Sequence, residues 1–122
     1  MLLACSQNPE IDSAAVEDFI VVRQLEQVKS LRMSVNTFRD IARPVGDYHL
    51  RYKSGTKYYL VAFAQRCSLQ FGGVTTDERN TSTVLQAHAD TIRGCRISRI
   101  YRMSKEDTEE LRALGRPPRN PN

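Results

Sequence analysis

The stretch from Asp47 to Ala64 constrains the fold more than any other part of the chain. Within Asp47–Lys53, Tyr48, Leu50 and Tyr52 alternate with His49, Arg51 and Lys53, the period of two that a half-buried β-strand requires. On this reading His49 lies on a solvated face with Arg51 and Lys53. Ser54-Gly55-Thr56 supplies a turn, and Lys57–Ala64 resumes as a more buried strand through Tyr59, Val61 and Phe63. The two strands form an antiparallel hairpin.

Around this hairpin the chain is expected to add short elements. Phe19–Val22 is apolar and β-branched, so strand is favoured over helix there. Val28, Leu31 and Met33 place a second short strand within Glu26–Met33. Ser34–Ile41 is expected as a helical turn or loop closed by Pro44 and Gly46. Cys67–Gly73 leads out of the hairpin, Thr75–Thr83 is polar enough for a long exposed connection, and Thr83–Ala89 is a further strand candidate. Arg96–Arg102 carries Ile97 and Ile100 three positions apart, a phase slip that implies a bulge or a strand end. Ser104 with Asp107 resembles a capping box; Leu111 and Leu114 are expected to face inward, with Gly115, Pro117 and Pro118 ending the helix. The expected class is α+β: a small, mostly antiparallel sheet or partly open barrel with a C-terminal α-helix.

With 122 residues and 40% apolar content there is material for one modest core. The division expected is a tether at 1–15, one domain at 16–115 and a frayed tail at 116–122. No run approaches the roughly 18 apolar residues that span a bilayer. The net charge of +4 is uneven: residues 1–18 carry four acids and no base, 19–103 carry 14 bases against six acids, and 104–122 carry four of each. Excess arginine in the central part suits phosphates or carboxylates, whether of nucleic acid, lipid or glycan.

The opening Leu2-Leu3-Ala4-Cys5-Ser6 matches the end of a bacterial lipoprotein signal, in which the cysteine is acylated and becomes the mature N-terminus. A secretory signal also needs a charged and an apolar segment, so the start is expected to lie within a longer signal peptide. Ser6–Ala15 then forms a tether, and Ser6 after the cysteine favours the outer membrane. With Cys5 given to lipid, Cys67 and Cys95 remain as an even pair, as an exported oxidised domain would have. A bridge between them would close a loop of about 29 residues, worth roughly 3.6 kcal/mol in the chain-entropy model. The alternative is two buried, reduced cysteines acting as small hydrophobes. Two thiols and two histidines at unrelated spacings do not make a closed zinc site, and no metal or cofactor is expected.

Phe19-Ile20-Val21-Val22-Arg23-Gln24-Leu25-Glu26-Gln27-Val28, Tyr59-Leu60-Val61-Ala62-Phe63 before Cys67, and Asp90-Thr91-Ile92-Arg93-Gly94-Cys95-Arg96-Ile97 before Ile100-Tyr101 together resemble an uncharacterised family of small proteobacterial periplasmic proteins. Many of these are lipoproteins in which two cysteines flank a β-rich core. The resemblance covers residues 16–115. It implies export and a paired Cys67 and Cys95, and it carries no activity.

Candidate chemistry is sparse. His88 and Asp90, two apart, would share one face of a strand, an arrangement that can orient an imidazole for general-base work in a hydrolase-like enzyme. Ser82 and Thr83 lie nearby without a nucleophile-elbow signature, and phosphate-loop, dinucleotide and HExxH patterns are absent. Arg93, Arg96, Arg99 and Arg102 recur at every third residue, with Arg66 and Arg79 as possible additions. A cytosolic nucleic-acid module would interleave exposed aromatics with such bases, whereas the tyrosines fall mainly at expected core positions. The reading favoured is therefore a non-catalytic periplasmic lipoprotein, joined to the membrane by its lipid, that meets an anionic envelope component or a protein partner.

Overall fold

The computed structural model describes residues 12–33, 41–67, 84–92 and 94–114. These form three layers: two helices, a six-stranded antiparallel sheet and a two-stranded antiparallel sheet. The strands are β1 (Glu26–Val28), β2 (Ser30–Arg32), β3 (Ile41–Val45), β4 (His49–Ser54), β5 (Lys57–Phe63), β6 (Val84–Gln86), β7 (Thr91–Ile92) and β8 (Cys95–Met103). The helices are α1 (Ser13–Val22) and α2 (Lys105–Leu114). In the large sheet the order is β1-β8-β5-β4-β3, with β7 also paired to β8, and β2 pairs with β6. Both sheets are open, so the expected α+β class holds in its sheet form and not as a barrel.

β4 begins at His49, so Tyr48, expected on its buried face, lies in the preceding turn and is 40% exposed. The hairpin itself forms, with Ser54 opposite Lys57 and Gly55 at φ 60° in the first central position of the turn. A two-residue turn of the II′ type needs glycine there because a Cβ would strain a positive φ. β5 is the centre of the molecule. It pairs with β4 on one edge and β8 on the other, and Tyr59 through Phe63 are all buried. On one face Leu60 packs with Val16, Phe19 and Ile20 of α1, Leu111 of α2, Val45, Tyr101 and Met103. On the other, Tyr59, Val61 and Phe63 pack with Leu31 and Leu85 of the small sheet, Leu50, Tyr52, Ile92, Ile97 and Ile100.

The phase slip in β8 is a bulge. Ala62 is opposite Arg99 and Phe63 is opposite Ile97, which leaves Ser98 as the extra residue. Ile97 and Ile100 consequently share one core, while Tyr101 and Met103 belong to the other. Cys67 and Cys95 are joined by a disulfide with a Cα–Cα separation of 5.9 Å. It ties the chain beyond β5 to the start of β8, at the margin of the larger core.

Several local expectations are corrected. Phe19–Val22 is helical, because Val16, Phe19 and Ile20 have the spacing of one helix face and are buried, while Val21 and Val22 are 71% and 67% exposed. Asp12 starts this helix by accepting from the Ala14 N–H at 3.0 Å. Ser13 to Ala15, read as tether, are its first turn. Its end is a Schellman motif: Leu25 N–H donates to Ile20 O at 3.1 Å and Gln24 N–H to Val21 O at 3.1 Å. The left-handed position is held by Gln24 at φ 53°, so the usual glycine signal is missing. Glu26–Met33 divides into two strands in different sheets. Ile41–Val45 is a strand despite Pro44, which is tolerated because β3 is at a sheet edge. Leu114 is 44% exposed and does not face inward.

The capping box of α2 is reciprocal, with Asp107 N–H donating to Ser104 Oγ and Ser104 N–H to Asp107 Oδ2, each at 3.0 Å. The Ser34–Asp40 part of the expected turn, the Thr75–Thr83 connection, Cys5 and its flanks, and the tail at 116–122 lie outside the described residues. Among the described residues no helix is long and apolar enough to cross a membrane.

Relieving the strained cap is a direct check on the helix that the sequence pattern missed. A non-glycine residue in the left-handed region costs about 1–2 kcal/mol, partly offset by the greater unfolded-state entropy of glycine. Gln24→Gly is expected to stabilise the protein by about 1 kcal/mol in urea unfolding; a destabilised variant would contradict this geometry.

Candidate functional site

Cross-strand register builds the site. On the helix-covered face of the large sheet, Arg43 of β3 stands directly opposite Arg51 of β4, and Ile41 stands opposite Lys53. Lys53 is in turn opposite Tyr58, and Tyr58 opposite Met103. Towards β8 this face is closed by α1 and α2 over Leu60 and Tyr101. Towards β3 none of the described residues closes it, and the arginines and lysine occupy positions that are apolar elsewhere. There α2 presents Lys105, Thr108, Glu109 and Arg112, a stripe at helical spacing. Sheet and helix together line an open cavity of about 290 Å³.

The lining holds five cations, Arg43, Arg51, Lys53, Lys105 and Arg112, and one acid, Glu109. Ion pairs among the described residues join Arg23 to Asp107 and Glu110, Arg66 to Asp47, and Arg99 and His49 to Glu17; none involves a cation of the cavity. Arg43 donates to the neighbouring Ala42 carbonyl at 3.1 Å, and the Lys53 ammonium lies 5.5 Å from the centre of the Tyr58 ring. Burial, followed by the charges of Arg112 and Arg43, pushes the Arg51 guanidinium below its ordinary value, though it remains a cation. Like charges directly opposite on a sheet are destabilising, so this cluster costs stability in the free protein.

A second polar cluster lies under α1. His49 is 2% exposed, and its Nε2 is 2.7 Å from Glu17 Oε2. A carboxylate only accepts, so the proton of the neutral ring sits on Nε2. That leaves Nδ1 buried without a hydrogen-bond partner. Arg99 grips Glu17 with two donors, at 3.0 and 2.8 Å, and donates to the Tyr101 hydroxyl at 2.6 Å. His49 is thus not a solvated residue of a polar strand face. It is part of a lock between α1, β4 and β8, brought inside because α1 covers the alternate face of the hairpin.

Burial lowers the His49 pKa from 6.5, outweighing the attraction of Glu17. The Arg99 guanidinium holds Glu17 below its usual 4.5, with burial opposing. Both effects have the same sign. The unfolded chain takes up the imidazole proton first, so stability from the neutral ring is complete above 6.5 and declines as pH falls below it. Stability from ionised Glu17 is complete above 4.5 and is lost on further acidification. The melting temperature is therefore expected to fall in two stages on acidification. His49→Gln, which retains a donor for Glu17, should remove the stage that begins near 6.5 and leave the lower one. An unchanged first stage would assign it to another group.

The residues singled out by sequence spacing are dispersed. Arg99 is occupied by Glu17 and leaves β8 on the helix side, whereas Arg102, opposite Tyr59, leaves it on the other. Arg96 is exposed and donates to His88 O at 3.4 Å. Arg66 pairs with Asp47 at 2.7 Å, and Arg79 and Arg93 lie outside the described residues. His88 and Asp90 occupy a turn and not a strand, so the expected shared face does not exist. His88 is exposed at φ 70°, and Asp90 Oδ2 accepts from the Gln86 N–H at 2.6 Å. Ser82 and Thr83 lie outside the described residues.

Of the cavity cations, only Arg51 and Lys53 stand out in the sequence, as polar alternates of a strand; Lys105 and Arg112 stand at helical spacing that by itself marks no site, and Arg43 carries no signal. Among the described residues no group of His, Cys, Asp and Glu has the composition of a metal site. Comparison with known protein families, curated proteins and solved structures gives no match to this chain.

Proposed function

We propose that this is a small lipid-anchored module of the bacterial periplasm that binds an anionic envelope component without transforming it. The observation that carries the binding part is the cavity in which five cations meet one acid, without an ion pair to any of the five among the described residues. Cations left unpaired at a cost to stability are the expected signature of a site whose counter-charge arrives with a ligand. The export part is supported by the Cys67–Cys95 disulfide, a bond that persists in oxidising compartments. Leu2-Leu3-Ala4-Cys5 supports the anchor, since two or more acyl chains on Cys5 hold a protein stably at a membrane.

Each part has its own test. Protein isolated from membranes should carry a lipid adduct on Cys5 by mass spectrometry, and alkylation without reductant should label neither Cys67 nor Cys95. Labelling of both thiols in freshly isolated protein would overturn export. For binding, a ligand that prefers the folded state raises its melting temperature by mass action. Multivalent anions should therefore raise the melting temperature more than sodium chloride at equal ionic strength. Arg51→Gln with Arg112→Gln should abolish that increment, and Arg96→Gln with Arg102→Gln, which removes the same charge elsewhere, should retain it.

A further inference from the structure

Resting on that reading of the cavity, we propose that its ligand is a phosphomonoester, with the phosphate held between Arg43, Arg51 and Arg112 and the organic part lying against Ile41, Tyr58 and Met103. Three features lead to this class. The first is charge. Five cations facing one acid are poorly matched by a single carboxylate or sulfonate, whereas a phosphomonoester brings about −1.5 to −2 at neutral pH on one compact group.

The second is geometry. Arg43 and Arg51 are direct cross-strand partners on one face, and Arg112 enters from the helix opposite. Three guanidinium forks lining one cavity suit the several oxygens of a phosphate, which accept paired N–H donors. Lys53 and Lys105 add charge at the cavity wall. The third is the remaining surface. Tyr58 and Met103 line the cavity, and Ile41, at 42% exposed, also borders it, so the ester carries a group with some apolar area. A cavity of about 290 Å³ takes a headgroup or a small organic phosphate, at the lower end of ligand pockets.

A phosphomonoester reaches such a site either on a lipid or as a soluble molecule, and the two sources are separable. Calorimetric titration of the full chain would use phenyl phosphate, with benzoate and benzenesulfonate as monoanionic controls. Vesicles of phosphatidylcholine containing phosphatidic acid would be compared with charge-matched vesicles containing phosphatidylglycerol, a diester. Phenyl phosphate, or phosphatidic acid over phosphatidylglycerol, is expected to bind about tenfold or more tightly than its control. Preference confined to vesicles assigns a lipid source, and preference for the free ester a soluble one; either supports the class.

Arg43→Gln and Arg51→Gln should each weaken that binding about tenfold or more while leaving the melting temperature equal or higher, because a repulsion is removed. This stability readout separates lost binding from lost folding, and Arg112→Gln, at an exposed residue of α2 that lines the cavity, provides an independent variant. If benzoate and benzenesulfonate bind as well as phenyl phosphate, with the same sensitivity to Arg51, the phosphomonoester assignment fails and the anion cavity stands. If no probe binds, or binding ignores all three arginines, the cavity reading itself fails.

Discussion

Burial of β5 on both faces is the constraint on which the structure depends. A strand covered on one side only could keep its alternate residues in water, but β5 lies between the helices and the small sheet, with Leu60 and Val61 both fully buried on opposite faces. The neighbouring strands inherit this demand. In β8 it is met by the Ser98 bulge, which resets the side-chain phase so that Ile97 and Ile100 serve one core and Tyr101 and Met103 the other. In β4 it is met differently: Leu50 and Tyr52 fill one core, and the opposite face carries His49, Arg51 and Lys53 into the layer beneath the helices.

That row of three polar side chains divides into two fates set by which helix lies above. Under α1, the buried neutral His49 finds a carboxylate, and Arg99 neutralises the same half-buried group. Beside α2, Arg51 and Lys53 find Lys105 and Arg112, and the register adds Arg43. The first cluster fastens a helix to the sheet. The second repels itself across a small cavity. One strand thus supplies both a structural lock and a candidate site, and the partners above it decide between them.

Much of the sheet was legible in the sequence because its determinants are local. The Leu50–Tyr52 part of the alternation, Gly55 in the turn, the Ile97–Ile100 slip and the Ser104–Asp107 cap each lie within a few residues, and each has its counterpart in the structure, whereas Tyr48, expected in the same strand, lies in the turn before it and is exposed. The disulfide was legible from cysteine parity and was further implied by the family resemblance. What escaped depends on distant packing. Helix α1 has a strand-like run of β-branched residues, and its C-cap uses Gln24 in place of glycine, so only the burial of Val16, Phe19 and Ile20 reveals it. The cavity escaped for the same reason. Arg43, Arg51 and Arg112 are separated in sequence and meet through strand order and helix placement, whereas the regular spacing of Arg96, Arg99 and Arg102 is undone by the bulge and the alternation of β8.

Pro44 has a bearing on how the molecule behaves in company. The large sheet ends in β3 on one side, where the proline removes a backbone donor, and in β1 on the other, a strand of three residues. Among the described residues, neither border of this sheet offers an intact row of donors and acceptors on which another polypeptide could template itself. Crowded molecules are therefore poorly equipped to zip together along the large sheet.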